Sequence, residues 1–204
     1  PLMVAAALLR IPAVVVFQLI ARAEPLTRRE RRIYRWARSR GQQWVAISRN
    51  NRALLSQSTG VPEGEIDVIY LGPRHAPQMD TATRQAERET LRRELGLPGD
   101  ATIMLTVGRL HVQKGHTDLI RALPHLVHEF PGLHAVWAGD GPLRSELERQ
   151  IAEFGLDQHV SILGYRADIS RLLAASDLFV LPTRFEGGQS IAVSEAMLAG
   201  IPVV

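Results

Sequence analysis

The feature that most constrains the fold is the regular alternation, after Asp100, of short apolar runs with amphipathic helical patterns. The runs TIMLTV at 102–107 and LHAVWA at 133–138 are largely apolar and do not alternate between apolar and polar residues. Such runs are typical of parallel strands buried on both faces, with helices as the crossovers between them. Further strands are expected at 159–163, at 177–181 and from 202 onward. A charged helix is expected at about 84–95, and Pro124 should bend the helix that contains it or end it early. The sequence therefore predicts an α/β fold with a Rossmann-like, doubly wound parallel sheet.

A shorter α/β pattern precedes this sheet and ends at a break in the sequence. Strands are expected at 44–48 and 67–71, with a helix at 50–58 between them. The following segment, GPRHAPQMDTAT, is rich in proline and small polar residues and has no periodicity, as expected of a linker. We therefore predict three parts. They are the remnant of a first Rossmann-like domain at 1–72, a linker at 73–83 and a carboxyl-terminal domain at 84–204, which we expect to be truncated at its end in an internal fragment.

Composition excludes several classes of protein. The chain has no cysteine, so it can form neither disulfides nor a thiolate metal site, and we expect a cytoplasmic location. Its 24 Lys and Arg residues nearly balance 21 Asp and Glu residues, which does not favour a nucleic-acid partner. Lys114 is the only lysine.

The amino-terminal 40 residues leave two interpretations open. Arg10 and Pro12 interrupt the apolar stretch at 2–20, so we expect a helix at about 2–10 followed by a buried strand at 14–20, with a membrane-associated element as the alternative. Thr27 and Glu30 form a capping-box pattern ahead of RRERRIYRWARSR, which predicts a helix from about residue 28. Its arginines form either a solvated face or a surface for the inner face of an anionic membrane.

The residues best placed for chemistry follow the predicted strands, because ligands of open parallel sheets bind beyond the carboxyl ends of the strands. After the first strand of the sheet, Gly108 allows a sharp turn, and Arg109 and Lys114 could clamp a diphosphate through charge-assisted hydrogen bonds. After the next strand, Gly139-Asp140-Gly141 is interpreted as a tight strand-to-helix turn, and Pro142 as the first residue of that helix.

The last loop, Pro182–Gly188, precedes a helix that carries Glu195. Free backbone amides at the start of this helix could receive an anion, while Glu186 and Glu195 address different parts of one elongated ligand. The seven histidines are scattered and no group has the spacing of metal ligands, so His111 and His116 are interpreted as turn and helix-start residues.

Five segments together resemble a known family. They are VGRLHVQKG at 107–115, VWAGDGPLRSELE at 136–148, VSILGY at 160–165, ASDLFVLPTRFEGG at 175–188 and SEAMLAGIPVV at 194–204. In this order they resemble the retaining GT-B glycosyltransferases of family 4, the glycosyl transferases group 1. Residues 44–72 resemble the end of that family's amino-terminal, acceptor-side domain.

The resemblance implies a role for each matching residue. Arg109 and Lys114 would hold the diphosphate of the donor, Glu186 the transferred sugar and Glu195 the ribose. The family usually has seven residues between its paired glutamates, whereas eight separate Glu186 from Glu195. The amides of Gly187 and Gly188 would contact the phosphates, and the loop from Gly164 to Arg166 would line the nucleobase. The other implied donor-binding residues are Gly108, Gly164, Tyr165, Arg166, Thr183, Gly187, Gly188, Gln189 and Ser190.

The resemblance also implies a reaction. A hexosyl-type sugar would pass from a nucleotide-diphosphate sugar to the hydroxyl of a glycan, lipid or small-molecule acceptor with retention of anomeric configuration, without a metal ion or cofactor. We expect the parent protein to be the enzyme and this piece alone to be inactive. Two alternatives stay open, a noncatalytic nucleotide-sugar-binding module and a membrane-surface interaction domain.

Overall fold

The computed structural model describes residues 2–18, 26–73, 79–186, 188 and 190–204. The chain divides into two compact units. One comprises Pro1–Gly72 together with Phe185–Ser190, and the other comprises Pro73–Arg184 together with Ile191–Val204.

The amino-terminal unit contains a parallel sheet of three strands in the order β1-β2-β3. Its elements are α1 (Leu2–Leu8), β1 (Ala13–Phe17), α2 (Arg28–Arg38), β2 (Gln42–Ala46), α3 (Arg49–Thr59) and β3 (Ile66–Val68). Trp44 of β2 is fully buried, with its ring centroid 5.0 Å from that of Phe17 and 6.0 Å from that of Tyr34. This aromatic cluster joins α2 to the sheet.

Local sequence signals set the ends of the helices in this unit. The capping box predicted at the start of α2 is confirmed, because Thr27 accepts a hydrogen bond from the Glu30 amide and the Glu30 carboxylate accepts one from the Thr27 amide. Ser48 caps α3, and Gly60 ends it in the left-handed conformation with φ 75°. The strand predicted at 14–20 is β1, which runs from Ala13 to Phe17, and residues 19 and 20 lie outside the described residues. The prediction that it is buried is wrong, because alternate residues face outward and Val14 and Val16 are 63% and 50% exposed.

The carboxyl-terminal unit contains a parallel sheet of four strands in the order β6-β5-β4-β7. Its elements are α4 (Thr81–Glu94), β4 (Thr102–Val107), α5 (His116–Glu129), β5 (Leu133–Ala138), α6 (Arg144–Glu153), β6 (Val160–Gly164), α7 (Ile169–Ala175), β7 (Leu178–Phe179) and α8 (Ile191–Leu198). Val203 forms a parallel bridge with Phe179, at the position where a further strand is predicted.

Both faces of this sheet are buried. One face packs Met104 and Trp137 against α5 and α6, and the other packs Leu105 and Val136 against α4, α7 and α8. All six residues of β5 are buried, as the unalternated apolar pattern predicts. The predicted doubly wound parallel sheet is confirmed.

Several boundaries differ from the sequence predictions. The strand predicted at 44–48 is β2 at Gln42–Ala46, and the one predicted at 67–71 ends at Val68. The helix predicted from Arg84 begins at Thr81, because the Asp80 side chain accepts a hydrogen bond from the Thr83 amide and caps it. The early end predicted for α5 at Pro124 is wrong, because α5 continues through Pro124 to Glu129, while the bend stays a prediction. Pro142 lies in a turn, and α6 begins only at Arg144.

Candidate functional site

The loops that follow β4, β5 and β6 lie side by side at the carboxyl edge of the four-stranded sheet. The Gly108 amide donates a hydrogen bond of 3.0 Å to the Ala138 carbonyl, which links the end of β4 to the end of β5. The Gly139 amide donates one of 2.8 Å to the Gly164 carbonyl, which links β5 to β6. The carboxyl ends of these three strands are therefore in direct contact.

Two glycines allow the loops after β4 and β5 to approach this closely. A Cβ atom on Gly139, whose φ is +154°, would lie 1.9 Å from the Gly108 carbonyl oxygen. A Cβ atom on Gly141 would lie 2.4 Å from the Leu110 carbonyl oxygen. No side chain fits at either position, which confirms the prediction of a tight turn here and gives its physical reason.

The loop after β4 carries the two cations predicted to bind a diphosphate. Arg109 is exposed and forms no ion pair with any other described residue. Lys114 is half-buried, and its side-chain carbons would contact a Cβ on Gly108 at 3.7 Å, so the lysine stem lies along this glycine. His111 caps the short 3-10 helix Val112–Lys114 through a 3.3 Å hydrogen bond from the Gln113 amide, as expected of a turn residue.

The loop after β7 is fastened to the loop that carries Lys114. The Gln113 carbonyl accepts hydrogen bonds from the Thr183 hydroxyl at 3.1 Å and from the Arg184 amide at 2.8 Å. Gly115 has φ +68°, and a Cβ on it would lie 1.8 Å from the Pro182 carbonyl oxygen. Thr183 thus has a structural contact in addition to its predicted donor contact.

An ion pair between the loop after β7 and the start of α5 was not predicted from the sequence. The Arg184 guanidinium donates to both carboxylate oxygens of Asp118, at 2.7 and 2.8 Å, which lowers the pKa of Asp118. Asp118 lies in the first turn of α5, a favourable position for a carboxylate. Because these residues are 66 positions apart, no local pattern could have revealed the pair.

The loop after β6 divides its predicted donor residues between two environments. Gly164 has φ +71°, and Tyr165 is 83% exposed. The Arg166 guanidinium donates to both oxygens of Asp168, at 2.8 and 2.7 Å, and to Glu94 at 2.5 Å. The hydrogen bonds from Arg166 hold the pKa of Asp168 at about 2. Arg166 links α4 to the start of α7, and its contact with a nucleobase stays a prediction.

The last loop contains the remaining predicted residues. Glu186 and Ser190 are half-buried, and their segment, Phe185–Ser190, groups by its contacts with the amino-terminal unit. A Cβ on Gly188 would lie 2.9 Å from side-chain carbons of Ile47, so the Ile47 side chain would have to shift to admit one. Gly187 and Gln189 lie outside the described residues.

Glu195 lies in the second turn of α8 and is half-buried. Burial raises the pKa of its carboxyl above the ordinary value for a glutamate. Its contact with a ribose stays a prediction.

Histidine and carboxylate groups do not cluster in the part of the chain that the structure describes. No group of three or more His, Asp or Glu residues there could hold a metal ion. His116 is the first residue of α5, as predicted, and is 1% exposed. No helix within residues 2–18, 26–73, 79–186 and 190–204 is long and apolar enough to span a membrane.

Comparison with known proteins identifies relatives of this chain. Residues 101–204 match the family model described as glycosyl transferases group 1. An uncharacterised glycosyltransferase of Methanocaldococcus jannaschii is 33% identical over 79% of this chain and 41% of its own length. A GDP-mannose-dependent phosphatidylinositol monomannoside mannosyltransferase of Mycolicibacterium smegmatis is 31% identical over 78% of this chain and 42% of its own length.

Solved structures give the same result for the fold. The crystal structure of Anabaena HepE in complex with UDP and glucose superposes on 98% of this chain with a TM-score of 0.81 and 27% identity. This chain covers 54% of the HepE chain. The chain thus spans about half of that structure and about two fifths of the curated relatives it matches.

Proposed function

Because the chain belongs to the glycosyl transferases group 1 family, we propose that the full-length protein transfers a hexosyl-type sugar from a nucleotide-diphosphate sugar to an acceptor hydroxyl. We propose further that the anomeric configuration is retained. The acceptor class comprises glycans, lipids and small molecules with a free hydroxyl. The relatives support this breadth, since one is named for a phosphatidylinositol mannoside and the HepE complex contains UDP and glucose.

The observation that carries the proposal is the junction of the loops after β4 and β7. Lys114 lies on Gly108 on one side, and Gln113 and Gly115 contact the β7 loop on the other. At Gly115 the backbone of the β7 loop lies so close that no side chain fits, so the segment that carries Lys114 is held in place. A fixed cation beyond the carboxyl end of a parallel strand is suited to an anionic ligand.

The departing diphosphate determines what these residues must do. As the bond between the anomeric carbon and the diphosphate oxygen breaks, negative charge develops on the diphosphate and positive charge on the sugar ring. Arg109 and Lys114 stabilise the first, together with the amides of Gly187 and Gly188 before α8. Glu186 contacts the sugar, and Glu195 accepts hydrogen bonds from the ribose. Because the two cations and the backbone amides stabilise the departing diphosphate, the reaction does not require a metal ion. We propose that the other residues that contact the donor are Gly108, Gly164, Tyr165, Arg166, Thr183, Gln189 and Ser190.

A thermal-shift screen of the full-length protein against UDP-, GDP- and ADP-sugars tests donor binding first. We expect one base to raise Tm, because a ligand that binds only the folded state stabilises it. Product formation from that donor and Glu186→Gln then test transfer, and the anomeric configuration of the product tests retention. A noncatalytic module would bind the donor, form no product and keep its biological role with Glu186→Gln, which would contradict the enzymatic proposal.

A second candidate function is favoured by the exposed face of α2. Arg28, Arg29 and Arg32 are exposed and form no ion pair with any described residue, and Ile33 beside them is 36% exposed. The Arg40 guanidinium lies 5.4 Å from the ring centroid of Trp36. A tryptophan among arginines suits the headgroup layer of an anionic bilayer, where each cation contributes about 1 kcal/mol. We propose peripheral contact with the inner face of such a membrane.

Vesicle sedimentation tests this contact directly. The full-length protein should bind vesicles of phosphatidylglycerol and phosphatidylcholine at low salt and dissociate from them at high salt. The double variant Arg29→Glu with Arg32→Glu should lose at least about tenfold in affinity. The control, Arg93→Glu with Arg121→Glu on exposed positions of α4 and α5, carries the same charge change and should bind normally. Equal loss in both variants would contradict a role for α2.

A further inference from the structure

Three buried polar side chains lie directly behind the loop that carries Lys114. Thr106 of β4 and Trp137 of β5 are fully buried, and His116 of α5 is 1% exposed. The Thr106 Oγ1, the Trp137 Nε1 and both ring nitrogens of His116 have no hydrogen-bond partner among the described residues. These side chains are not part of the catalytic proposal above.

The fold brings these three side chains together on one face of the sheet. Thr106 and Trp137 are register partners in the parallel pair of β4 and β5, so their side chains point to the same side. The His116 ring lies over this side, with its centroid 5.0 Å from that of Trp137 and the planes inclined by 66°. Leu110 and Leu119 belong with Trp137 to the apolar cluster on this face of the sheet.

Leaving these polar atoms unsatisfied would be costly. A buried donor or acceptor without a partner destabilises a protein by about 1–3 kcal/mol. The groups complement each other through one small bridging molecule, since the indole N–H only donates, the hydroxyl does both, and a neutral imidazole has one donor and one acceptor. Burial, with Lys114 nearby, lowers the pKa of His116 to about 4, which keeps the ring neutral. One water molecule can accept from the indole N–H and bond to both the Thr106 hydroxyl and one ring nitrogen of His116, which satisfies three of the four atoms.

We propose that Thr106, His116 and Trp137 bind one internal water molecule and that His116, fixed by it, is a positioning residue for Lys114. Only Gly115 separates the histidine from the lysine, and Gly115 is confined by the Pro182 carbonyl, so displacement of His116 is transmitted to Lys114. The positioning role rests on the proposed function, because it assumes that Lys114 holds a diphosphate.

Diffraction from crystals of the full-length protein at about 1.5 Å resolution or better tests the water without any assay of activity. We expect a density peak within hydrogen-bonding distance, about 2.7–3.2 Å, of at least two of Thr106 Oγ1, Trp137 Nε1 and a His116 ring nitrogen. In Thr106→Val, which keeps the shape and removes the hydroxyl, this peak should weaken or vanish. Close-packed side chains with no peak in the wild type would overturn the proposal.

Nucleotide affinity tests the positioning role with UDP, GDP and ADP as probes. For whichever probe binds the wild type, His116→Leu should raise Kd about tenfold, the effect of misplacing one charge-assisted contact. His116→Gln, which retains a donor and an acceptor, should restore most of this loss. Equal losses in both variants, or none in either, would refute positioning. If no probe binds the wild type, the proposed function fails, while the diffraction result still decides the water.

Discussion

Replacement of Gly115 by alanine tests whether the contact between the β4 and β7 loops is as close as described. Its φ of +68° is strained for alanine, and its Cβ would lie 1.8 Å from the Pro182 oxygen. Gly155, at the end of α6, provides a matched control, because its φ is +67° and nothing lies within 4 Å of a Cβ there. The two substitutions share the backbone strain and differ only in the collision.

The magnitudes follow from the geometry. Alanine in the left-handed region costs about 1–2 kcal/mol, offset by roughly 0.4–1 kcal/mol from the restricted unfolded chain, so Gly155→Ala should destabilise by about 1 kcal/mol. In Gly115→Ala the loops must also separate until the Cβ and the oxygen reach ordinary contact at 3.4 Å. This separation breaks the hydrogen bonds from Thr183 and Arg184 to Gln113, each worth about 0.5–1.5 kcal/mol. The total should be about 2–4 kcal/mol.

Urea unfolding of the full-length protein, followed by circular dichroism, measures both variants. We expect Gly115→Ala to lose at least about 1 kcal/mol more than Gly155→Ala. Gly115→Ala should also bind the donor nucleotide more weakly than Gly155→Ala, because Lys114 moves with the loop. Equal free energies of unfolding for the two variants would refute the reasoning about this contact.

Three other predictions concern single side chains. His116 is protonated near pH 6.5 in the unfolded chain but only near pH 4 in the folded chain, so it makes the wild type less stable as the pH falls. In urea titrations, the free energy of unfolding of His116→Leu relative to the wild type should rise, compared with pH 7, by about 2 kcal/mol at pH 5 and about 3 kcal/mol at pH 4. Parallel pH curves for the two proteins would contradict this. Arg166→Met, which removes the ion pairs to Asp168 and Glu94, should lower the free energy of unfolding by about 1 kcal/mol in the same assay, and no change would argue against the link between α4 and α7. Lys114→Ala should raise the Kd of the donor nucleotide about 10- to 100-fold by calorimetry, and an unchanged Kd would remove the lysine from the site.

Much of the carboxyl-terminal fold was predictable because burial on both faces leaves a plain signature. The runs at 102–107 and 133–138 match β4 and β5 residue for residue. β7 is shorter than its predicted range of 177–181, with ladder pairing only at Leu178 and Phe179. An apolar run indicates which residues are buried. The length of a strand depends also on how many residues of the neighbouring strand pair with it, and the run contains no information about that neighbour.

The site was predictable at the level of loops and less so at the level of contacts. Gly139 and Gly141 could be assigned to a tight turn from their spacing before a helix. Their contacts with the backbone of the β4 loop depend on which strands are neighbours. The hydrogen bonds to the Gln113 carbonyl and the unpaired polar atoms of His116 depend on tertiary packing in the same way. Periodicity and local motifs carry no information about such long-range contacts.

The most direct test of the central claim is a crystal structure of the full-length protein with the nucleoside diphosphate that stabilises it most. The diphosphate should lie against Lys114 and Arg109 beyond the end of β4, with its phosphates near the start of α8. A diphosphate bound elsewhere, with these two cations out of reach of its oxygens, would contradict the account.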